Sequence, residues 1–489
     1  MSGTRPLYAS TQSVSKIISA RIPFDVACAI LDEVSYQGYP HATLHACSLV
    51  CRDWTSTAQR HLFRSVGIHL DRYRGPNPEK RKGRSWNPLD LPRRFLDILD
   101  GSPHLASFVL SVTIHSGSIP FSTFLRAMLS KTTCLRKLRF VDIMLRPGPE
   151  AVLDAPSFDR DSDAPPSPGP RAAIDQLDLS RCTFDGTRPL LDLLHSFSRI
   201  RHLNLHFPNL MSGDDDNDVL DSIGMRPSAV PAIESATLSF LGHDGNSDGL
   251  LTFLHSALCA SSLPAGALKS IRFRVVDPSG LDRFLLPCLR DACAVLRELH
   301  LDADFRDLRR GHLRRQNLSE RWSALGRSLA SCIALESLTF VVKGQPGPYN
   351  RHRGDAPYAD YLRAVLPAYA RCVCPPPPSV RSIVFRVRQS VRKDEVVRDV
   401  LDAITSPGEQ EQGHWGRLDA ALSAHGDSLA RFAFVFDSDN VTRGGDEDGC
   451  VTEQDRARIA AALGGVLPKM AAKGVLRVEL NSSRDVYSF

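Results

Sequence analysis

One six-residue pattern (apolar, two residues, apolar, one residue, apolar) recurs eleven times between Val109 and Leu480. It begins as Val109, Val112, Ile114 and continues through Leu135, Leu138, Phe140 and Ile174, Leu177, Leu179 to Leu429, Phe432, Phe434 and Val475, Val478, Leu480. Alternation of period two places the second and third apolar residues on one face of a short strand. The intervals carry helix-type apolar stripes, among them Phe121 to Leu129, Leu190 to Phe197, Leu250 to Leu258, Leu281 to Val295, Trp322 to Ile333, Tyr358 to Val373 and Ile459 to Met470. A strand and a helix repeating at intervals of about 26 to 49 residues leave few options, because each unit can bury its apolar side only against its neighbours. The expected fold class is therefore α/β, a solenoid of parallel strands backed by helices. A generic α/β domain with a parallel sheet would show the same local pattern and stays open as an alternative.

The segment IDQLDLSRCTF, residues 174–184, resembles the leucine-rich-repeat family. Cys182 stands where that family places an Asn or Cys that bonds the backbone of the turn. The resemblance implies strands on a concave face and helices on a convex one. Most other units lack that residue and run longer than the family's usual repeat, so the expected solenoid is irregular. One cause of irregularity is visible. Residues 147–170 hold seven prolines together with Asp159, Asp161 and Asp163, a composition that reads as a disordered insertion. The stretches 213–218, 343–356 and 406–413 read as shorter loops of the same kind.

A different kind of segment precedes the array. Residues 22–63 concentrate apolar side chains on about forty residues, more than one face of each predicted helix needs, and a unit so small buries too little of itself to be comfortably stable alone. Ile22-Pro23, the Ile30-Leu31 pair, Leu49-Val50-Cys51-Arg52, Trp54 and Leu62-Phe63 make this stretch similar to the F-box, a three-helix module that docks on the Skp adaptor of cullin-RING ubiquitin ligases. Carried over position by position, the resemblance implies core or adaptor contacts for Pro23, Ile30, Leu44, Val50, Cys51, Trp54 and Phe63. The chain between Val34 and Leu44 reads as a long connection between helices. The expected organisation is a flexible lead-in over 1–20, the helical module over 21–66, a Pro-, Gly- and charge-rich linker with a first helix over 71–104, and the solenoid over 105–489.

Composition narrows the function classes. Sixty Lys and Arg against fifty-five Asp and Glu give a net charge of +5 over 489 residues, a small excess that by itself neither supports nor excludes a nucleic-acid partner, and none is expected. Twelve scattered cysteines and no secretory leader suggest reduced thiols in cytoplasm or nucleus, and no apolar run has the length of a membrane span. His41, His45, Cys47 and Cys51 have ligand-type side chains, but on a continuous helix the two pairs fall on different faces, so no zinc is expected there. Asp214, Asp216 and Asp218 suggest a calcium loop, yet Val219 stands where its turn needs Gly. No nucleophile elbow, phosphate-cradling glycine loop or HExxH helix occurs, and neither catalytic residues nor cofactors are expected.

In a strand array the residues between the apolar positions face outward together. That makes Arg139, Asp178, Asn204, His206, Arg272, Arg274, His300, Asp302, Arg386 and Arg388 the candidate target-binding row, with arginines suited to an acidic or phosphorylated protein segment. The expected role is a non-enzymatic substrate-receptor subunit: residues 22–63 dock the Skp-type adaptor and its cullin complex, and the solenoid holds a target protein. Two competitors remain, a solenoid scaffold whose N-terminal helices merely cap the array, and an enzyme on a generic α/β fold.

Overall fold

The computed structural model describes residues 24–35, 40–50, 52–70, 90–146, 171–211, 231–239, 247–260, 268–275, 280–303, 315–343, 358–389, 393–405, 412–425, 428–438 and 451–481. The expected lead-in, the insertion 147–170, the calcium-like aspartates and most of the expected loops lie outside these residues. Three helices come first: α1 (Phe24–Ser35), α2 (Pro40–Ser48) and α3 (Arg52–Arg64). The strands are β1 (Ser65–His69), β2 (Ser111–Pro120), β3 (Lys137–Arg146), β4 (Ala172–Ser180), β5 (Thr183–Asp185), β6 (Phe197–His206), β7 (Asn209–Met211) and β8 (Ala232–Ser239). They continue with β9 (Ser270–Val275), β10 (Glu298–Ala303), β11 (Ser337–Lys343), β12 (Ser382–Gln389), β13 (Arg431–Ser438) and β14 (Leu476–Asn481).

These strands form one sheet in the order β1-β2-β3-β4-β6-β8-β9-β10-β11-β12-β13-β14, with the short β5 and β7 continuing the ladder beside β3. The pairings are parallel and follow chain order, as a solenoid-like α/β fold requires. The apolar pattern sets the register. Val112 pairs with Leu138, Leu138 with Leu177 and Leu177 with Leu203. The neighbouring row continues through Phe273, Leu301, Phe340, Phe385 and Phe434, all fully buried. Helix residues such as Leu190, Leu254, Leu289, Leu325, Tyr369 and Val400 close over these rows in the same continuous core. In its centre Phe340 stacks on Tyr369 at 4.4 Å and on Phe385 at 5.4 Å between ring centroids, and Tyr369 donates its hydroxyl to the Val341 carbonyl at 3.2 Å. Val384, Ala433 and Val435 form a separate buried cluster on the opposite side of the sheet, called here the open face.

Successive units bend at one shared corner, which falls inside β2 and β3 and just past the ends of β4 and β6. Ser116, Asp142, Arg181 and Phe207 directly follow the ladder partners His115, Val141, Ser180 and His206, and all four are left-handed, with φ between 47° and 55°. A non-glycine residue in that region costs roughly 1 to 2 kcal/mol, and inter-strand bonds offset it: Arg181 N–H donates to His206 O and Phe207 N–H to Ser239 O, each at 2.7 Å. Cys182 lies just past one corner, fully buried, and its thiol donates to Phe140 O at 3.5 Å and Ser180 O at 3.7 Å. This is the turn-bonding role expected of it, and burial pushes the thiol up to about 12.

The structure departs from the sequence pattern at four places. The sheet begins at β1, well before residue 105, because α3 runs straight into a strand whose apolar positions, Val66 and Ile68, pair with Val112 and Ile114. At the other end β14 is displaced by two residues, so that Val478, not Leu480, lies beside Phe434. The expected helix over 459–470 is split into Glu453–Val466 and Pro468–Ala472, since a proline is tolerated at the start of a helix but not within it. Asp419, from a neighbouring helix, accepts the Lys469 and Met470 N–H groups that this break exposes, at 3.2 and 3.0 Å. Helix α2 begins at Pro40, so the long connection expected between Val34 and Leu44 contracts to residues 36–39.

The helix layer is close-packed at Gly326, where an added Cβ would meet Arg371 O at 3.1 Å and the Cys372 Cα at 3.2 Å, both backbone atoms. Gly326→Ala should lower unfolding stability by about 1 to 3 kcal/mol through overpacking. Gly416 is an exposed helical glycine with nothing within 4 Å of such a Cβ, and Gly416→Ala should raise stability by up to about 1 kcal/mol. Urea unfolding followed by circular dichroism separates the two, and equal effects would contradict the packing described.

Candidate functional site

Strand register brings the residues of the open face into rows. In one, Arg139 lies beside Asp178, Asp178 beside Asn204, and Thr237 leads on to Arg272 and His300. The next runs His206, Ser239, Arg274, Asp302, Val341 and Arg386, and a short third row sets Arg388 beside Asp437. The ten residues of the expected target row therefore share one surface, in two groups joined by the small side chains of β8. Over β3 to β6, Asp178 accepts hydrogen bonds from Gln176 Nε2 at 2.9 Å and from Asn204. Burial pulls the nearby His206 down; Asp178 opposes this, and Arg139, Arg274 and Arg272 add to it.

The second group, over β9 to β13, is the more strongly charged. Four guanidinium groups, Arg272, Arg274, Arg386 and Arg388, face two carboxylates, Asp302 and Asp437. Arg386 Nε lies 2.7 Å from Asp437 Oδ2 and Arg388 Nε 3.9 Å from it, while Asn481 donates to the other Asp437 oxygen at 3.1 Å. Between β10 and β12, opposite His300 and Asp302, the face carries the short Thr339 and Val341 of β11, and the electrostatics of His300 register the arginines beyond them. Burial, then Arg272, Arg388 and Arg386, push the His300 imidazole down to about 2, so it is neutral at physiological pH. Burial, then Arg388 and Arg386, also lower Arg272, with Asp302 and Glu298 acting the other way. A crowd of guanidinium groups held partly out of water, with fewer carboxylates than cations among the described residues of β9 to β13, favours an incoming carboxylate or phosphate, which arginine grips in a two-pronged fork.

Sequence reasoning missed Asp437, although it is buried and anchors Arg386. Its position follows the alternation of β13, but its burial depends on neighbours from β12 and β14, which no local pattern reveals. It also missed His255, Cys259 and Cys288 in the helix layer, whose signal was a pair of ligand-type residues four apart on one helix and a cysteine on the next.

The N-terminal helices form a second candidate surface with its own small core. Leu31, Leu44 and Ala58 are buried there, with Val34, Cys47, Trp54 and Leu62 packed around them. His61 Nε2 lies 2.9 Å from Asp32 Oδ1, and Thr55 donates to Ser48 O at 2.8 Å, tying α3 to α1 and to the end of α2. Among the expected docking residues, Leu44 and Trp54 thus belong to this core, and Phe63 packs against the core of the sheet. Ile30 and Val50 remain 41% and 66% exposed, beside Phe24 at 59%, Val26 at 44% and Leu49 at 75%. Pro23 and Cys51 lie outside the described residues. No helix among the described residues is long and apolar enough to cross a membrane.

No family model matches this sequence, and no curated protein matches it.

His300 gives the open face a measurable pH signature. Its pKa is depressed in the fold, so as pH falls below about 6.5 the unfolded chain binds a proton that the folded chain refuses, and stability is lost progressively with acidification. Above about pH 7 the contribution is complete. His300→Gln should flatten the fall in urea midpoint between pH 7 and pH 4.5, whatever its effect at pH 7. Parallel pH profiles for the two proteins would contradict the buried neutral imidazole.

Proposed function

We propose that this protein is a substrate-receptor subunit of an SCF-type cullin-RING ubiquitin ligase. Its F-box-like helices dock a Skp-type adaptor, and its open face binds a target protein through an acidic or phosphorylated segment. The observation that carries the reading is the apolar surface of α1 and of the turn after α2: Phe24, Val26, Ile30, Leu49 and Val50 stay exposed on a unit whose described residues bury four apolar side chains, Ala27, Leu31, Leu44 and Ala58. So much exposed apolar surface on so small a unit favours an obligate partner over solvent. The resemblance of residues 22–63 to the F-box supplies that partner's identity. The protein's contribution is proximity, raising the effective concentration of a target lysine near a charged ubiquitin carrier, while the transfer chemistry resides in partner subunits. Such a complex would act in cytoplasm or nucleus.

A second reading draws on a different observation. Helix α3 passes without a loop into the edge strand β1, and Phe63 packs on the main core, as the terminal cap of a repeat array would. On that reading the protein is an interaction scaffold without a ligase role.

Co-expression with a Skp-type adaptor followed by affinity capture distinguishes the two. The full chain should retain the adaptor, and Ile30→Asp combined with Val50→Asp should reduce capture at least tenfold with an unchanged melting temperature, because both side chains are exposed. Retention of the adaptor by the double variant, or no capture by the unmodified chain, would leave the scaffold reading.

A further inference from the structure

The side chains of His255, Cys259 and Cys288 converge in the helix layer, on the side of the sheet away from the target row. Their ligand atoms, a ring nitrogen and two sulfurs, all lie within 4.8 Å of one another. Two elements supply them. His255 and Cys259 are four apart on the Ser247–Ala260 helix and so share one face of it. Cys288 comes from the adjacent Leu286–Ala292 helix, which enters through a π turn over Leu281–Leu285. The cause of that turn is Pro287, which cannot donate to the carbonyl of Arg283.

Three features separate this cluster from ordinary buried thiols. Elsewhere the buried cysteines spend their thiols on backbone carbonyls: Cys182 on Phe140 O, Cys332 on Ser328 O at 3.3 Å and Cys372 on Trp322 O at 3.4 Å. Cys259 engages two side chains of the cluster, Cys288 and His255. The histidine is also oriented from behind, its Nε2 lying 2.9 Å from Asp291 Oδ2, which leaves Nδ1 as the nitrogen available to a ligand. A carboxylate holding the outer nitrogen is the usual support of a metal-bound histidine. Charge also balances: a divalent cation would neutralise two thiolates, and Arg290 Nε, 3.2 Å from Asp291 Oδ1, answers the remaining carboxylate.

We infer that His255, Cys259 and Cys288 form a binding site for a zinc-type divalent cation that clamps two successive helices of the array. Two sulfurs and one imidazole suit Zn2+ by ligand softness, and a half-buried cluster leaves the fourth tetrahedral position to solvent water. The site bridges the helices that directly precede β9 and β10 in the chain, the strands carrying Arg272, Arg274, His300 and Asp302. Bound cation would therefore stiffen the platform beneath the open face without touching it. Asp291 is a positioning residue in this account.

The full-length chain, purified under reducing conditions and stripped with a chelator, provides the test. Added Zn2+ should bind with one cation per chain and raise the melting temperature. Co2+ should give the intense tetrahedral ligand-field absorption and the sulfur-to-metal charge-transfer band of a site with thiolate ligands. Cys259→Ser and His255→Asn, both at partly exposed positions, should abolish stoichiometric binding, and Asp291→Asn should weaken it by about 10- to 100-fold. Cys332→Ser, which alters a buried thiol outside the cluster, should bind as the parent does. Should Cys288→Ser fail to fold, the two partly exposed variants still decide the matter. No stoichiometric uptake, uptake undiminished in Cys259→Ser and His255→Asn, or formation of a Cys259–Cys288 disulfide in place of metal uptake would each overturn the assignment.

Discussion

The array from β1 to β14 depends on the parallel backbone ladder and the rule that no unit can bury its own apolar face. A unit contributes one short strand and one or two helices, and its two inward side chains are covered only when a neighbour supplies the next pair. The fully buried line from Phe273 through Leu301, Phe340 and Phe385 to Phe434 makes the point: remove any strand and its neighbours lose lateral contacts, each buried side chain being worth about 1.5 to 3 kcal/mol. Stability is therefore communal, and a defect at one unit is felt mainly by the two beside it.

The same ladder that fixes the inward rows fixes the outward ones. Because side chains alternate, locking Leu299 beside Ile271 and Leu338 also locks His300 between Arg272 and Thr339. The open face is in this sense a by-product of the core, and its chemistry could be filled in without disturbing the fold. Low residues on β11 let the arginines of β12 and the histidine of β10 sense one another, and Asp437 and Asp302 temper the repulsion without cancelling it.

The sequence made much of this readable, and the failures have physical reasons. Alternation found the strands of the main array and placed the ten outward candidates on one surface. It missed β1, because Val66 and Ile68 offer only two apolar positions behind a helix. The two-residue displacement of β14 was invisible because a pattern of period two is preserved by that slip. The start of α2 was obscured by reading Pro40 as part of a loop, when proline is well suited to the first turn of a helix. In the N-terminal helices, apolarity alone could not divide Leu44 and Trp54, which face inward, from Ile30 and Val50, which face out. The clustering of His255, Cys259 and Cys288 was equally hidden, since it needs two helices to be adjacent and local periodicity says nothing about adjacency.

The junction between α3 and β1 has a mechanical consequence. Arg64 ends a helix and Ser65 begins a strand, with no residue between them to act as a swivel. Leu110 N–H bonds to Arg64 O at 3.1 Å and secures the joint from the neighbouring unit. Whatever grips the N-terminal helices therefore takes hold of a splint, not a leash. The bearing of anything held on the far side of the sheet is then set by rigid geometry, and the statistics of a flexible tether do not enter.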